Sequence, residues 1–124
     1  MRSESAEIEL IVPAPGVDAR LRTVVAYIGD NLSGKLTRKE VARQVGLRES
    51  YIAEYFKACS GLSLRAYIRL ARLAKARDLL RTSFLSVKEI SSAVGFTQES
   101  NFDRAFKHMS GMSPLAYRRR FRRR

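Results

Sequence analysis

Apolar positions recur at three- and four-residue spacing along most of the chain. Val17, Leu21, Val24, Val25, Ile28 and Leu32 form the first stripe, which predicts an amphipathic helix ending near Asp30–Gly34. A second stripe, Val41, Ala42 and Val45, begins just after Thr37 and Glu40. Those two residues have capping-box spacing, in which the hydroxyl accepts from one early N–H and the carboxylate from another. Gly46 then ends the helix where a left-handed residue is cheap, and Leu47 seals the turn. Ile52, Tyr55 and Phe56 mark the buried side of a helix over Arg48–Cys59, stopped by Gly61. Ser63 caps a longer helix over Leu64–Arg81, with Tyr67, Ile68, Ala71, Leu73, Ala74, Ala76, Leu79 and Leu80 as its apolar positions. About 18 residues at ~1.5 Å rise span about 27 Å.

The pattern then repeats. TRKEVARQVGL (Thr37–Leu47) returns as SVKEISSAVGF (Ser86–Phe96), 49 residues later. FKACSGLSLRAY (Phe56–Tyr67) returns as FKHMSGMSPLAY (Phe106–Tyr117), 50 residues later. Ser86 and Glu89 repeat the capping spacing, Ile90 and Val94 the stripe, and Gly95 the turn. Thr97–Met109 is the second outer helix, anchored by Phe102 and Phe106, and Ser113–Pro114 starts the last one. The glycines at 46, 61, 95 and 111 end helices and lack phosphate-loop spacing.

The expected fold is all-α, with two homeodomain-like helix-turn-helix subdomains joined by a long linker helix. The expected divisions are an arm at 1–16, a first subdomain at 17–62, the linker helix at 63–81, a second subdomain at 82–117 and a basic tail at 118–124. The arm carries Pro13, Pro15 and Gly16, and IELIV (Ile8–Val12) within it is a candidate extended piece.

Composition narrows the function. Apolar residues make up 45% of the chain, enough for real cores. Lys and Arg number 24 against 12 acidic residues, a formal charge of +12, which favours polyanionic partners. Charge alone does not separate DNA from RNA or an anionic membrane. The chain has no long apolar run, which argues against a spanning helix, and Met1–Val12 makes a poor secretory signal. One cysteine and one histidine provide neither a disulfide framework, nor a metal cluster, nor a catalytic pair. No enzyme activity and no cofactor are expected, and the location expected is cytoplasmic.

Paired helix-turn-helix units on a basic chain point to double-stranded DNA. In such a unit the second helix enters the major groove and the first braces it. Grooves on one face recur about 34 Å apart, which a ~27 Å linker plus its flanking turns can match. With Ile52 and Phe56 inward, Arg48, Glu49, Ser50, Ala53 and Glu54 face outward. With Phe102 and Phe106 inward, Gln98, Glu99, Ser100, Asn101, Asp103 and Arg104 remain outside. Arginine pairs with guanine, Asn or Gln with adenine, and a carboxylate accepts from the cytosine amino group. The carboxylates at 49, 54, 99 and 103 must meet a base amino group, pair with an arginine, or point to solvent. Arg38, Lys39, Lys57, Arg69, Arg72, Lys88 and Lys107 are candidate phosphate anchors, which hold without specifying sequence. A solvated charged face is the plain alternative for each.

The runs AVGF, F-x-R-x-FK and GMSP-x-x-YR, within Ala76–Arg119, resemble the DNA-binding domain of the AraC/XylS family of bacterial transcription regulators. VARQVGL, SYIAEYFK and SGLSLRAYIRLARLAKARDLL match it more loosely, and the likeness runs from about Val17 to Tyr117. The resemblance implies seven helices and, as a rule, activation of transcription. It carries base reading onto Ser50, Ala53 and Glu54 in the first unit and Glu99, Ser100, Asp103 and Arg104 in the second. Arg72, Arg104, Lys57 and Lys107 match common basic residues of the family. Ala53 and Glu54 stand where larger or basic side chains are frequent, and Asn101 where an aromatic is. With no room for a sensor domain, the chain resembles the small stand-alone members; a piece of a longer regulator is the other reading.

The last seven residues hold six arginines, expected to act as a flexible hand on phosphates. Cys59 is expected to be a small buried hydrophobe and His108 a surface residue. The leading expectation is a sequence-specific regulator that binds duplex DNA as a monomer and contacts RNA polymerase. Its competitors are a non-specific or architectural DNA binder and a protein-interaction module on the same fold.

Overall fold

The structure is a computed structural model and describes residues 19–122. Among them are seven helices: α1 (Ala19–Asp30), α2 (Arg38–Gln44), α3 (Glu49–Ser60), α4 (Leu64–Thr82), α5 (Val87–Ala93), α6 (Glu99–Ser110) and α7 (Pro114–Phe121). The described residues contain no strand, and the all-α, seven-helix expectation is met. The arm, its candidate extended piece Ile8–Val12, and Val17 lie outside the described residues.

Two cores form on either side of α4. Leu21, Val24 and Ile28 of α1, Val41 and Ala42 of α2, and Ile52, Tyr55 and Phe56 of α3 meet Leu64, Tyr67 and Ala71 from the first half of α4. Ile90, Val94, Phe102, Ala105, Phe106, Met109 and Tyr117 meet Leu73, Ala76 and Leu80 from its second half. One helix thus supplies a wall to both cores, which couples their relative placement to its own straightness. The repeat extends to the packing. Phe56 meets Tyr67 edge-on at 5.1 Å, and their counterparts Phe106 and Tyr117 do so at 5.3 Å. Burial pushes the Tyr67 phenol up to about 12, so it stays neutral in the core.

Capping follows the serines and threonine read from the sequence, with one difference. The Ser86 hydroxyl accepts from the Glu89 N–H at 3.0 Å, and the Ser86 N–H donates to Glu89 Oε1 at 2.8 Å, a complete capping box. In the first copy the Thr37 hydroxyl accepts from the Glu40 N–H at 3.2 Å, but the Glu40 carboxylate pairs with Arg43 at 3.4 Å. Both outer helices start later than their apolar stripes suggest, with Arg48 and Gln98 as caps that make no side-chain capping bond. Helix α7 runs on to Phe121, so Arg118, Arg119 and Arg120 are helical rather than part of a loose tail. Arg118 donates to Leu80 O at 3.0 Å and to Ser83 O at 3.2 Å, which docks the last helix on the end of α4.

The Glu89 carboxyl lies below its ordinary range, held first by the Ser86 N–H and then by its hydroxyl. A depressed carboxyl stabilises the fold above its unfolded-state pKa and loses that contribution as pH falls through the folded value. Ser86→Ala is expected to cost about 1 kcal/mol at neutral pH, and Glu89→Gln, which removes the titrating carboxylate, to flatten the loss of stability on acidification. Urea titrations of parent and variants at neutral and acid pH check both, and an unchanged acid slope in Glu89→Gln would contradict the second.

Candidate nucleic-acid interface

Each unit presents the outer face of one helix. On α3, Glu49, Ser50, Tyr51, Glu54 and Lys57 are exposed, Arg48 is exposed at its cap, and Ala53 is half-buried. On α6, Glu99, Ser100, Asn101, Arg104 and Lys107 are exposed, with Gln98 exposed at the cap. Asp103 is half-buried, and its Oδ1 is enclosed without a hydrogen-bond partner. Every candidate reading residue therefore reaches the surface of its helix except Ala53 and Asp103, which sit at the edge of the core.

The second helix carries an ordered polar ladder. Arg104 donates to Asn101 Oδ1 at 2.5 Å, and Asn101 Nδ2 donates to Gln98 Oε1 at 3.4 Å. The three side chains are spaced one helical turn apart, so they line up along one face. The ladder uses one of five guanidinium donors, leaving Arg104 able to offer a two-donor fork. Asn101 is the link that sequence reasoning undervalued. The signal was there, since 98, 101 and 104 share helical spacing.

The basic residues divide by position. Arg38 and Lys39 are exposed in the first turn of α2 and Lys88 in the first turn of α5. Lys57 and Lys107 are exposed in the last turns of α3 and α6, and Arg69 on α4. A cleft of about 610 Å³ opens between the units, bordered by Ala53, Arg38, Arg65, Arg69, Arg72 and Phe96 among others. Arg65 was missed as a candidate, although its four-residue spacing from Arg69 places both on one side of α4. Arg72 differs from the rest. It is half-buried, and its Nε and one terminal nitrogen donate to Leu32 O at 3.2 Å and Gly34 O at 3.1 Å. Burial draws its guanidinium below the ordinary value. Tyr51, 48% exposed between Ser50 and Glu54, adds an aromatic surface to α3 that the stripe analysis passed over.

Two expectations change. Cys59 is exposed, not buried. The apolar stripe of α3 is complete with Ile52, Tyr55 and Phe56, and the first core ends short of Cys59, whereas the longer Met109 at the matching place in α6 is buried. The tail is partly docked. Arg122 donates to Ser83 O at 3.1 Å and lies 4.3 Å from the Phe84 ring centre, leaving Arg119 and Arg120 as exposed arginines of α7. His108 is exposed, as expected.

A family model described as a helix-turn-helix domain matches residues 41–120. The C-terminal domain of AraT, a response regulator from Geobacillus stearothermophilus, superposes with a TM-score of 0.80 at 29% identity, covering 88% of this chain and 91% of that one. The chain belongs to the AraC/XylS-type family of helix-turn-helix DNA-binding domains. The DNA-binding domain of AdpA, a global transcriptional factor solved in complex with a target DNA, superposes with a TM-score of 0.77 at 25% identity, covering 84% of this chain and 94% of that one. Regulatory protein PocR of Salmonella typhimurium is 33% identical over 101 residues, which is 82% of this chain. This AraC-type chain spans about a third of PocR's length. Its fold and relatives are those of DNA-binding regulatory domains. No helix among the described residues is long and apolar enough to cross a membrane.

Proposed function

We propose that one copy of this domain reads two successive major grooves of an asymmetric site, with α3 in one and α6 in the next. Helix α4, 19 residues or about 28 Å long, bridges them, and likeness to the AdpA domain, solved in complex with a target DNA, supports DNA as the partner. The Gln98–Asn101–Arg104 ladder carries the reading, because it holds a guanidinium fork and an amide in register on an exposed face before DNA arrives. Arg104 pairs with guanine and Gln98 with adenine. Asp103 gains a donor for its enclosed oxygen by turning toward a cytosine amino group. Glu99 and Ser100 complete the second reading set; Arg48, Ser50, Ala53 and Glu54 form the first, where a small residue and a carboxylate read less strongly.

Arg38, Lys39, Lys57, Arg69, Lys88 and Lys107 hold phosphates around these helices, joined by Arg65 on the cleft wall. Arg72 is committed to carbonyls and serves the protein first. Lys107→Ala is expected to weaken binding evenly across sequences and to lower the salt slope by about 1. Salt titrations on two unrelated duplexes check this, and a loss confined to one sequence would make Lys107 a base reader. The domain acts in the cytoplasm as an activator that touches RNA polymerase while bound to its site. A hydroxyl-radical footprint tests the placement: two protected patches on one face, one helical turn apart, with one chain per duplex, are expected. A single patch, or even protection along the duplex, would contradict it.

A further inference from the structure

The Arg72 bonds have a counterpart in the second unit. Arg72 donates to Gly34 O, and Arg122 donates to Ser83 O, both at 3.1 Å. Gly34 and Ser83 are 49 residues apart and Arg72 and Arg122 are 50 apart, the same offsets that relate the two copies of the motif. In each unit an arginine that follows the outer helix therefore reaches back and ties the loop that leads into the bracing helix.

The first tie has a third member. Gly95 stands at φ +99° in the turn of the second unit, and a Cβ there would lie 2.1 Å from Leu32 O and 2.7 Å from Arg72 Nε. Gly46, at the same place in the first unit, has nothing within 4 Å of its would-be Cβ. Leu32 O also accepts from Arg72 Nε. The second unit's turn is thus seated on the first unit's arginine tie, at a backbone position where the absence of a side chain permits it. Phe96, the next residue, borders the cleft with Arg72 and Leu36.

We propose that the Arg72 tie with Gly95 seated on it is a spacing lock: it fixes the distance and phase between α3 and α6 and makes the domain intolerant of altered spacing between the two halves of its site. This rests on the two-groove reading above. One inserted base pair moves the second groove by about 3.4 Å and rotates it by roughly 35°. A pair of helices held only by a continuous α4 could follow such a change by bending or twisting, whereas a pair bolted at a second point could not.

The lock is tested without DNA first. Spin labels on Cys59 of α3 and on His108→Cys of α6, both exposed, report the distance between the two reading helices. The parent is expected to give one narrow distance distribution, and Arg72→Ala a broadened or shifted one. Arg122→Ala, which removes one of the two arginine bonds to Ser83 O away from the junction, is expected to leave the distribution narrow. Arg72→Lys keeps the charge but loses the fork, and replaces Arg72→Ala should the latter fail to fold. An unchanged narrow distribution in a folded Arg72 variant, or equal broadening in Arg122→Ala, would overturn the lock. On DNA, the parent is expected to lose about tenfold or more in affinity when one base pair is added between the halves, with the Arg72 variant losing clearly less. A narrow distribution with no spacing discrimination by the parent would instead overturn the two-groove reading and leave the rigid junction standing.

Discussion

Gly95→Val is expected to destabilise the domain by about 3 kcal/mol or more, through two independent penalties. The first is conformational. Gly95 has φ +99°, where a β-branched residue is a genuine outlier. The second is steric. The added Cβ would fall 2.1 Å from the Leu32 carbonyl oxygen, a backbone atom that cannot swing away as a side-chain tip can. Relief requires the Arg72 tie to open or the second unit to lift from the first. Gly46→Ala is the internal comparison. That residue has φ +67° but open space around it, so only the conformational cost applies, about 1–2 kcal/mol. Urea denaturation of Gly95→Val, Gly95→Ala and Gly46→Ala, followed by helical circular dichroism, separates the two, because the alanine pair carries the same side chain with and without the close approach. A Gly95→Ala protein no less stable than Gly46→Ala would show that the close approach carries no energetic weight.

Arg104→Ala is expected to cost ~1–3 kcal/mol on the favoured site, a loss of roughly tenfold to a hundredfold, while unrelated duplexes lose much less. The asymmetry follows from what the side chain does. A phosphate anchor attracts every duplex alike, but a fork aimed at a base edge discriminates. Arg104 is already aligned by Asn101, so little ordering is left to the encounter. Arg104→Lys keeps the charge and loses the planar fork, and is expected to behave more like alanine than like arginine on the favoured site. Competition binding with the favoured duplex and a scrambled one measures both. Equal loss on the two would return Arg104 to the phosphate anchors.

Much of the fold was legible because its signals are local. Capping serines, left-handed glycines and apolar stripes each act within a turn or two, so the caps at Ser63, Ser86 and Ser113 and the turns at Gly46 and Gly95 could be placed by spacing alone. The repeat then showed that two such units share one chain. What was not legible depends on contacts between residues far apart. Arg72 reads as one more basic residue on an exposed helix until Leu32 and Gly34, about 40 positions earlier, prove to be beside it. Arg118 and Arg122 read as a loose basic tail for the same reason, since Ser83 lies 35 and 39 positions away. Cys59 was misjudged because helical periodicity gives a direction and not the depth at which a core ends. The reading face sits between these cases. Its helix and outward side follow from Phe102 and Phe106, but the side-chain ladder along it depends on rotamers that spacing only permits.

Selection of bound duplexes from a random pool, at about 150 mM salt where loose electrostatic binding is largely screened, addresses most directly whether both outer helices read sequence. Enrichment of one asymmetric motif, with two parts one helical turn apart and the stronger part lost in Arg104→Ala, is the expected result. Binding without enrichment of any motif would contradict it and make the domain a non-specific DNA binder.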